Sequence, residues 1–301
     1  MAREKIISGD STGPEDEQFN AALRPQTLDE CIGMGDLLEK LRISIEAARQ
    51  RNEPMDHVLL HGPPGLGKTT LAYVIAHEMG ATIKVSSGPA LTRPSDLIGI
   101  LTNLEAGDVL FIDEIHRLTP AVEEYVYPAM EDYKVDFVVD SGMPSRTINL
   151  PLKPSTLIGA TPRAGLLSPP MRARFGISHH LEFWDIADLL ARARMSAEML
   201  QIGFEPTALE MLASRARGTP RIANRLLRRV RDFAEVKGDG TISLDIARKT
   251  LAAEEIDDLG LDKLDRSLLR TMIEKYGGGP VGVDAMAAAL HEERDTLENE
   301  V

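Results

Sequence analysis

The chain has 301 residues, enough for two or three compact units rather than one. With 43% hydrophobic, 27% charged and 4% aromatic residues, it has the composition of an ordinary soluble globular protein whose core rests on Leu, Ile, Val, Ala and Met. A net charge of −13 excludes a general coat of basic surface and leaves room only for local basic patches. Cys31 is the single cysteine, which excludes an internal disulfide and a cysteine-based zinc site and fits a reducing compartment. The first 20 residues carry no apolar core of a secretory signal, and no apolar run approaches the ~20 residues of a membrane helix. The expected setting is the cytoplasm, with no membrane partner.

Residues 1–20 are polar and punctuated by Gly9, Gly13 and Pro14, which reads as a flexible leader. Residues 37–51 place apolar side chains at helical spacing (Leu37, Leu38, Leu41, Ile45, Ala48). Residues 57–61 (HVLLH) are a short apolar run feeding a GPPG turn, and 68–79 read as a helix stopped by Gly80. Residues 109–112 and 156–160 are two more buried strands, and strands alternating with helices predict a parallel sheet covered on both faces. Residues 134–150 read as a hairpin around the SGMP turn at 141–144. From Asp185 onward the pattern is helical, with helices expected over 188–202, 206–216, 219–236 and 244–253. After a break near 256–260, two further helices (263–276 and 284–291) flank GGGP at 277–280. This division gives a leader (1–20), an α/β domain (21–184), a small helical domain (185–255) and a last segment (256–301).

Residues 62–69 read GPPGLGKT, a phosphate-binding loop set after a buried strand and opening a helix. Glycines let the backbone wrap a phosphate with its N–H groups turned inward, and the helix behind adds free N–H groups and the positive end of its dipole. Lys68 can reach the β- and γ-phosphates of ATP, and the Thr69 hydroxyl can hold Mg²⁺. Residues 110–114 (LFIDE) deliver two carboxylates at the end of a strand, the ligand edge of an open α/β sheet. Asp113 can enter the magnesium shell, and Glu114 can orient or deprotonate a water for in-line attack on the γ-phosphate.

These segments resemble the AAA+ ATPases, and more narrowly the RuvB family of Holliday-junction branch-migration motors. The resemblance runs from LRP at 23–25 to the last residues and is carried by GPPGLGKTT (62–70), FIDEIHRL (111–118), YPAMEDY (127–133), RGTPRIANRLLRRVRDF (217–233) and GGGPVG (277–282). It implies a P-loop α/β large domain with a parallel sheet, an all-α lid and a partial C-terminal winged-helix domain. It further implies a homohexamer that hydrolyses ATP to pull duplex DNA from a Holliday junction held by RuvA, with RuvC in the resolving complex. Residue by residue, Leu23 and Arg24 match the adenine pocket, and Gly65, Gly67, Lys68, Thr69 and Thr70 the phosphate site. Glu131, Asp132 and Tyr133 match further nucleotide-proximal positions, and Arg174 matches the finger that reaches a neighbouring subunit's γ-phosphate. Trp184 stands where the family usually has Tyr against the nucleotide, and Arg221 matches the sensor arginine of the lid. Arg221, Arg225 and Arg228 share one helical stripe that could equally meet a neighbouring subunit or DNA phosphates. The 134–150 hairpin matches the RuvA-docking element, with Phe137, Val139 and Met143 as its apolar candidates.

The sequence departs from the family at Pro162, where a threonine is usual: proline has neither hydroxyl nor N–H, so ATP binding should survive and turnover fall unless Thr161 substitutes. The family's wing arginines have no counterpart before Val301, so the last segment reads as a truncated winged-helix head: either the sequence is a fragment, or the protein lacks the family's main grip on DNA. Two other readings stay open at this point. One is a different AAA+ remodelling ATPase; the other is a nucleotide-binding scaffold with weak turnover.

Overall fold

The computed structural model describes residues 6–139, 146–294 and 297, and the described chain divides into two compact units. After α1 (Pro14–Ala22), residues 25–63 and 67–182 build an α/β unit. Its elements in order are α2 (Gly35–Arg51), β1 (Val58–His61), α3 (Lys68–Met79), β2 (Ile83–Ser87), α4 (Pro94–Leu101) and β3 (Val109–Asp113). There follow α5 (Pro120–Glu131), β4 (Lys134–Val139), β5 (Arg146–Pro151), β6 (Thr156–Thr161), α6 (Pro169–Ala173) and β7 (Ile177–His180).

Five strands form one sheet in the order β2-β3-β6-β1-β7, every neighbouring pair parallel. The apolar runs occupy its centre: Leu59 sits level with Gly159, and Phe111 level with Ile158. Leu59, Leu110, Ile112 and Leu157 pack against Leu97 and Leu101 of α4 and Val122 and Val126 of α5. These strands read as unbroken hydrophobic stretches because helices cover both faces. The edge strands β2 and β7 escape that reading: IKVSS and ISHH are only half buried, so no apolar run marks them. β4 pairs antiparallel with β5, as the hairpin reading expects, while the SGMP turn at 141–144 with Met143, and the side chains of Phe137 and Val139, lie outside the described residues.

His57 ties the start of the central strands together. The Leu157 N–H donates to its Nδ1 (2.9 Å) and its Nε2 lies 2.9 Å from the Met130 carbonyl, a pattern that needs a neutral ring. Burial holds its pKa below the ordinary value, which keeps the ring neutral.

The second unit comprises the N-terminal residues through Arg24, residues 64–66 and everything from Phe183. Helices α7 (Ile186–Met199), α8 (Pro206–Arg215), α9 (Pro220–Lys237) and α10 (Leu244–Ala253) enclose a core that includes Leu189, Leu209, Leu212, Leu226, Leu227 and Val230. Beyond it, α11 (Lys263–Tyr276) and α12 (Val283–Leu290) share a small core of Met286, Ala287 and Leu297, joined by Leu264, Leu268 and Met272.

The expectation of a flexible leader is corrected over residues 6–20 by this unit, residues 1–5 lying outside the described residues. Ile6 and Ile7 are 7% and 3% exposed within the helical core, a burial of about 2 kcal/mol per side chain. Asp16, in the first turn of α1, is also buried. The polar composition misled because charges, not an apolar stripe, hold this segment down. Asp16 accepts from Arg225 of α9 at 2.7 Å with both side chains buried, and Arg225 also donates to the carbonyls of Ser8 (2.5 Å) and Asp10. The basic stripe of α9 is therefore not a solvated face. Arg221, Arg225 and Arg228 pair in turn with Glu17, Asp16 and Glu15.

Candidate active site

At the C-terminal edge of the sheet, β1 runs into the phosphate loop and α3 begins at Lys68. Gly67 caps that helix in the left-handed region (φ 97°), a conformation that favours glycine. The Lys68 ammonium is buried and donates to the carbonyls of Gly62 and Pro63, both at 2.7 Å. One residue on, Thr69 Oγ1 donates to Asp113 Oδ2 at 3.3 Å, so β3 brings its carboxylate to the first turn of α3. Thr70 follows on the same turn.

Glu114 leaves β3 in the left-handed region (φ 47°), an uncommon conformation for a side chain other than Asn or Asp. Its N–H donates to Asp113 Oδ1 at 2.8 Å, and its carboxylate pairs with Arg117 at 3.1 Å. A Cβ built on Gly88, at the end of β2, would lie 2.3 Å from the Glu114 carbonyl, so only glycine fits there. The sequence reading gave no role to Gly88, which follows an edge strand with no apolar signal, and none to His116 and Arg117 beyond their place in the FIDEIHRL stretch.

β6 ends on the same edge at Thr161. Its hydroxyl is fully buried and lies 3.1 Å from His116 Nδ1, 3.2 Å from the Arg163 carbonyl and 3.3 Å from the Arg163 N–H. Its single proton is taken within this network, by the Arg163 carbonyl or by His116 Nδ1, which leaves no hydroxyl donor turned to a phosphate. Burial lowers the His116 pKa, and burial with the nearby His180 and Lys68 lowers that of His61, whose Nδ1 is 3.1 Å from His180 Nδ1. Both rings are neutral at pH 7.

Arg174 lies at the opposite edge of this sheet. A helix that follows a parallel strand runs back toward the strand's start. α5 and α6 do so, and the Met130 carbonyl and the Ile177 N–H both meet His57 there. The five residue steps from His57 to Gly62 separate the two edges by about 16 Å. Arg174 donates to the Pro170 carbonyl (2.8 Å) and to Glu131 Oε2 (3.2 Å), and its guanidinium lies 4.2 Å from the centre of the Tyr127 ring. Glu131 thus meets Arg174, Asp132 pairs with Lys134 at 2.8 Å, and Tyr133 is half-buried beside them (its pKa raised by burial, then by Asp56). None of the three reaches the phosphate loop of its own chain, because α5 carries them away from it.

In the helical unit, Leu23 is buried and its carbonyl accepts from Arg192 at 2.6 Å, with Arg24 next in the chain. Trp184 bonds through its N–H to the Gly218 carbonyl at 2.9 Å, while its buried indole Nε1 has no partner among the described residues. Residues 64–66 belong to this unit. A Cβ on Gly65 would lie 2.7 Å from Thr219 Cγ2 and 3.2 Å from Arg221 Cβ, so the loop backbone lies directly against the start of α9.

The donor set fits Mg²⁺. One hydroxyl and one carboxylate, Thr69 and Asp113, are hard oxygen ligands, and magnesium characteristically completes its octahedron with water and substrate phosphate oxygens. Among the described residues no group of three or more His, Cys, Asp or Glu forms a dedicated metal cage, and none is needed for that arrangement.

A phosphate loop opening a helix, a carboxylate pair at the end of a neighbouring strand, a five-stranded parallel sheet and a helical lid define an AAA+ ATP hydrolase. Family models match in sequence the Holliday junction DNA helicase RuvB P-loop domain (residues 23–181), the RuvB AAA lid domain (184–257) and the RuvB C-terminal winged helix domain (258–301). The chain belongs to the RuvB family. It is 50% identical to the RuvB Holliday junction branch migration motor of Thermotoga maritima, with a TM-score of 0.82 over 93% of this chain and 89% of that one. Two point mutants of the Thermotoga protein align with TM-scores of 0.83 at the same 50% identity, covering 92% of this chain and 88% and 89% of theirs. Among the described residues no helix is long and apolar enough to cross a membrane.

Proposed function

We propose that this protein is the ATP-driven motor that moves Holliday junctions along DNA in recombination and repair. The observation that carries the chemistry is the meeting of Thr69 with Asp113 beside the buried Lys68. In this reading Gly65, Gly67, Lys68, Thr69 and Thr70 hold the phosphates of ATP, and Leu23, Arg24 and Trp184 hold its base. Thr69 and Asp113 hold Mg²⁺, which supplies charge neutralisation at the phosphate oxygens. Glu114 exchanges its Arg117 partner for a water and takes its proton as that water attacks the γ-phosphorus in line, while the bond from that phosphorus to the β-phosphate oxygen breaks and ADP leaves. Arg221, against the Gly65 backbone, senses phosphate from the lid.

Arg174 completes a neighbour's site, not its own, because it stands at the far edge of its own sheet. A site that needs a neighbour's arginine turns over only in an assembly, which supports the homohexamer. Glu131, Asp132 and Tyr133 share that edge, and with Arg174 they face the neighbour's nucleotide. The hairpin of β4 and β5 serves as the docking element for RuvA, and RuvC acts on the junction the motor delivers. The cytoplasm is the compartment that holds DNA, ATP and a reduced thiol at Cys31 together.

The test is ATP turnover by the full chain with four-way junction DNA, with RuvA, and with both. Stimulation by both together and loss of activity in Lys68→Ala are expected. Turnover indifferent to junction DNA and RuvA, or dependent on a protein substrate, would overturn the assignment.

A further inference from the structure

The acidic turn that opens α1 and the basic stripe of α9 form a graded series of ion pairs. At its centre Asp16 and Arg225 are 2% and 5% exposed, and Arg225 is saturated by two backbone carbonyls besides. Neither charge can leave without stranding the other in the core. One helical turn nearer the phosphate loop, Glu17 pairs with Arg221 at 3.1 Å, but Glu17 is 47% exposed and its bond is open to exchange. The other arm of the Arg221 fork donates to the Gly9 carbonyl at 3.2 Å. Both arms are thus held by the N-terminal segment while the backbone N–H of Arg221 lies 3.4 Å from the Gly65 carbonyl of the phosphate loop.

We propose that Glu17 is a positioning residue for Arg221: its carboxylate competes with the phosphate oxygens of a bound nucleoside triphosphate for the guanidinium. This rests on the reading of Arg221 as a phosphate ligand. The chemistry favours the exchange in one direction. A carboxylate and a phosphate both accept from a guanidinium fork, but a triphosphate offers more charge and more oxygens. Asp16 keeps the segment anchored throughout, so Glu17 is released without unfolding α1. The segment therefore sets how much phosphate is needed to claim Arg221, and a triphosphate claims it more readily than a diphosphate.

Isothermal titration of the full chain with ATPγS and with ADP, each with Mg²⁺, tests this. An exposed ion pair is worth little, so Glu17→Gln should tighten ATPγS by about two- to fivefold, and ADP by less. The gain should vanish in an Arg221→Ala background and shrink as salt rises. If Arg221→Ala weakens ATPγS but Glu17→Gln leaves it unchanged or weaker, the competition is refuted while the role of Arg221 stands. If Arg221→Ala leaves ATPγS affinity untouched, Arg221 is not a phosphate ligand and both ideas fall. A gain from Glu17→Gln that persists without Arg221 also refutes the competition, since the carboxylate would then act elsewhere.

Discussion

Pro162 follows β6 at the edge where Lys68, Asp113 and Glu114 gather, at a position where the family usually has threonine. Its neighbour cannot stand in, because the Thr161 hydroxyl is buried and spent on His116 and Arg163. Phosphate binding rests on the loop and Lys68, none of which involves Pro162. A hydrogen-bond donor aimed at developing charge acts on the transition state more than on the ground state. Pro162→Thr should therefore raise kcat by about tenfold, a conservative share of what one such donor supplies, and leave KM for ATP within about twofold. Steady-state ATPase assays decide it, and an unchanged kcat would mean that the hydroxyl has no role here. This departure was legible in the sequence as a missing side chain. The saturation of Thr161 was not, because His116 lies 45 residues away in the chain and meets it only when β3 and β6 pair.

At the scale of elements, legibility followed burial. The central strands β1, β3 and β6 announced themselves because two covered faces demand unbroken apolar runs. The edge strands β2 and β7 carry serine, lysine and histidine on their open sides and gave no such signal. Helix α1 was hidden for a different reason: its sequence, PEDEQFNAA, has no apolar stripe, and its hold on the molecule is electrostatic. Asn20 extends that hold, donating to Asp16 Oδ1 at 3.1 Å and accepting from Asn224 at 3.0 Å. Burial alone would raise the Asp16 pKa, but the hydrogen bond and charge of Arg225 outweigh it and hold the carboxyl below its ordinary 3.8. A depressed pKa means the unfolded chain binds the proton more tightly, so this stabilisation is present above pH 3.8 and is lost as pH falls below it. Asp16→Ala removes one partner of a buried pair and should destabilise the helical unit by about 3 kcal/mol, read as a lowered midpoint in chemical denaturation. The variant should also lose the part of the wild type's acid sensitivity that sets in below about pH 4. A midpoint within error of the wild type would show that the segment is not held through this pair.

At the scale of the whole chain, the groups matched to ATP hydrolysis stand apart. One chain carries its phosphate loop at one edge of the sheet and Arg174 at the other, where Glu131 and Tyr127 hold it. Sequence could suggest the finger from the RARFG segment, and the fold adds that it stands at the edge away from its own phosphate loop. This geometry makes a prediction that no single chain can fulfil. Lys68→Ala should disable the chain's own site, and Arg174→Ala should disable the site of its neighbour, each lowering turnover by about a thousandfold or more in a uniform assembly. In an equal mixture, an intact loop from an Arg174→Ala chain can meet an intact finger from a Lys68→Ala chain. Random closure of a heterologous ring gives that pairing at about a quarter of its interfaces, so the mixture should recover about a quarter of the wild-type rate. The measurement is ATP turnover of the two inactive variants, alone and combined, under conditions in which subunits exchange. If Arg174 acted within its own chain, every chain in the mixture would lack one essential group and no activity would return.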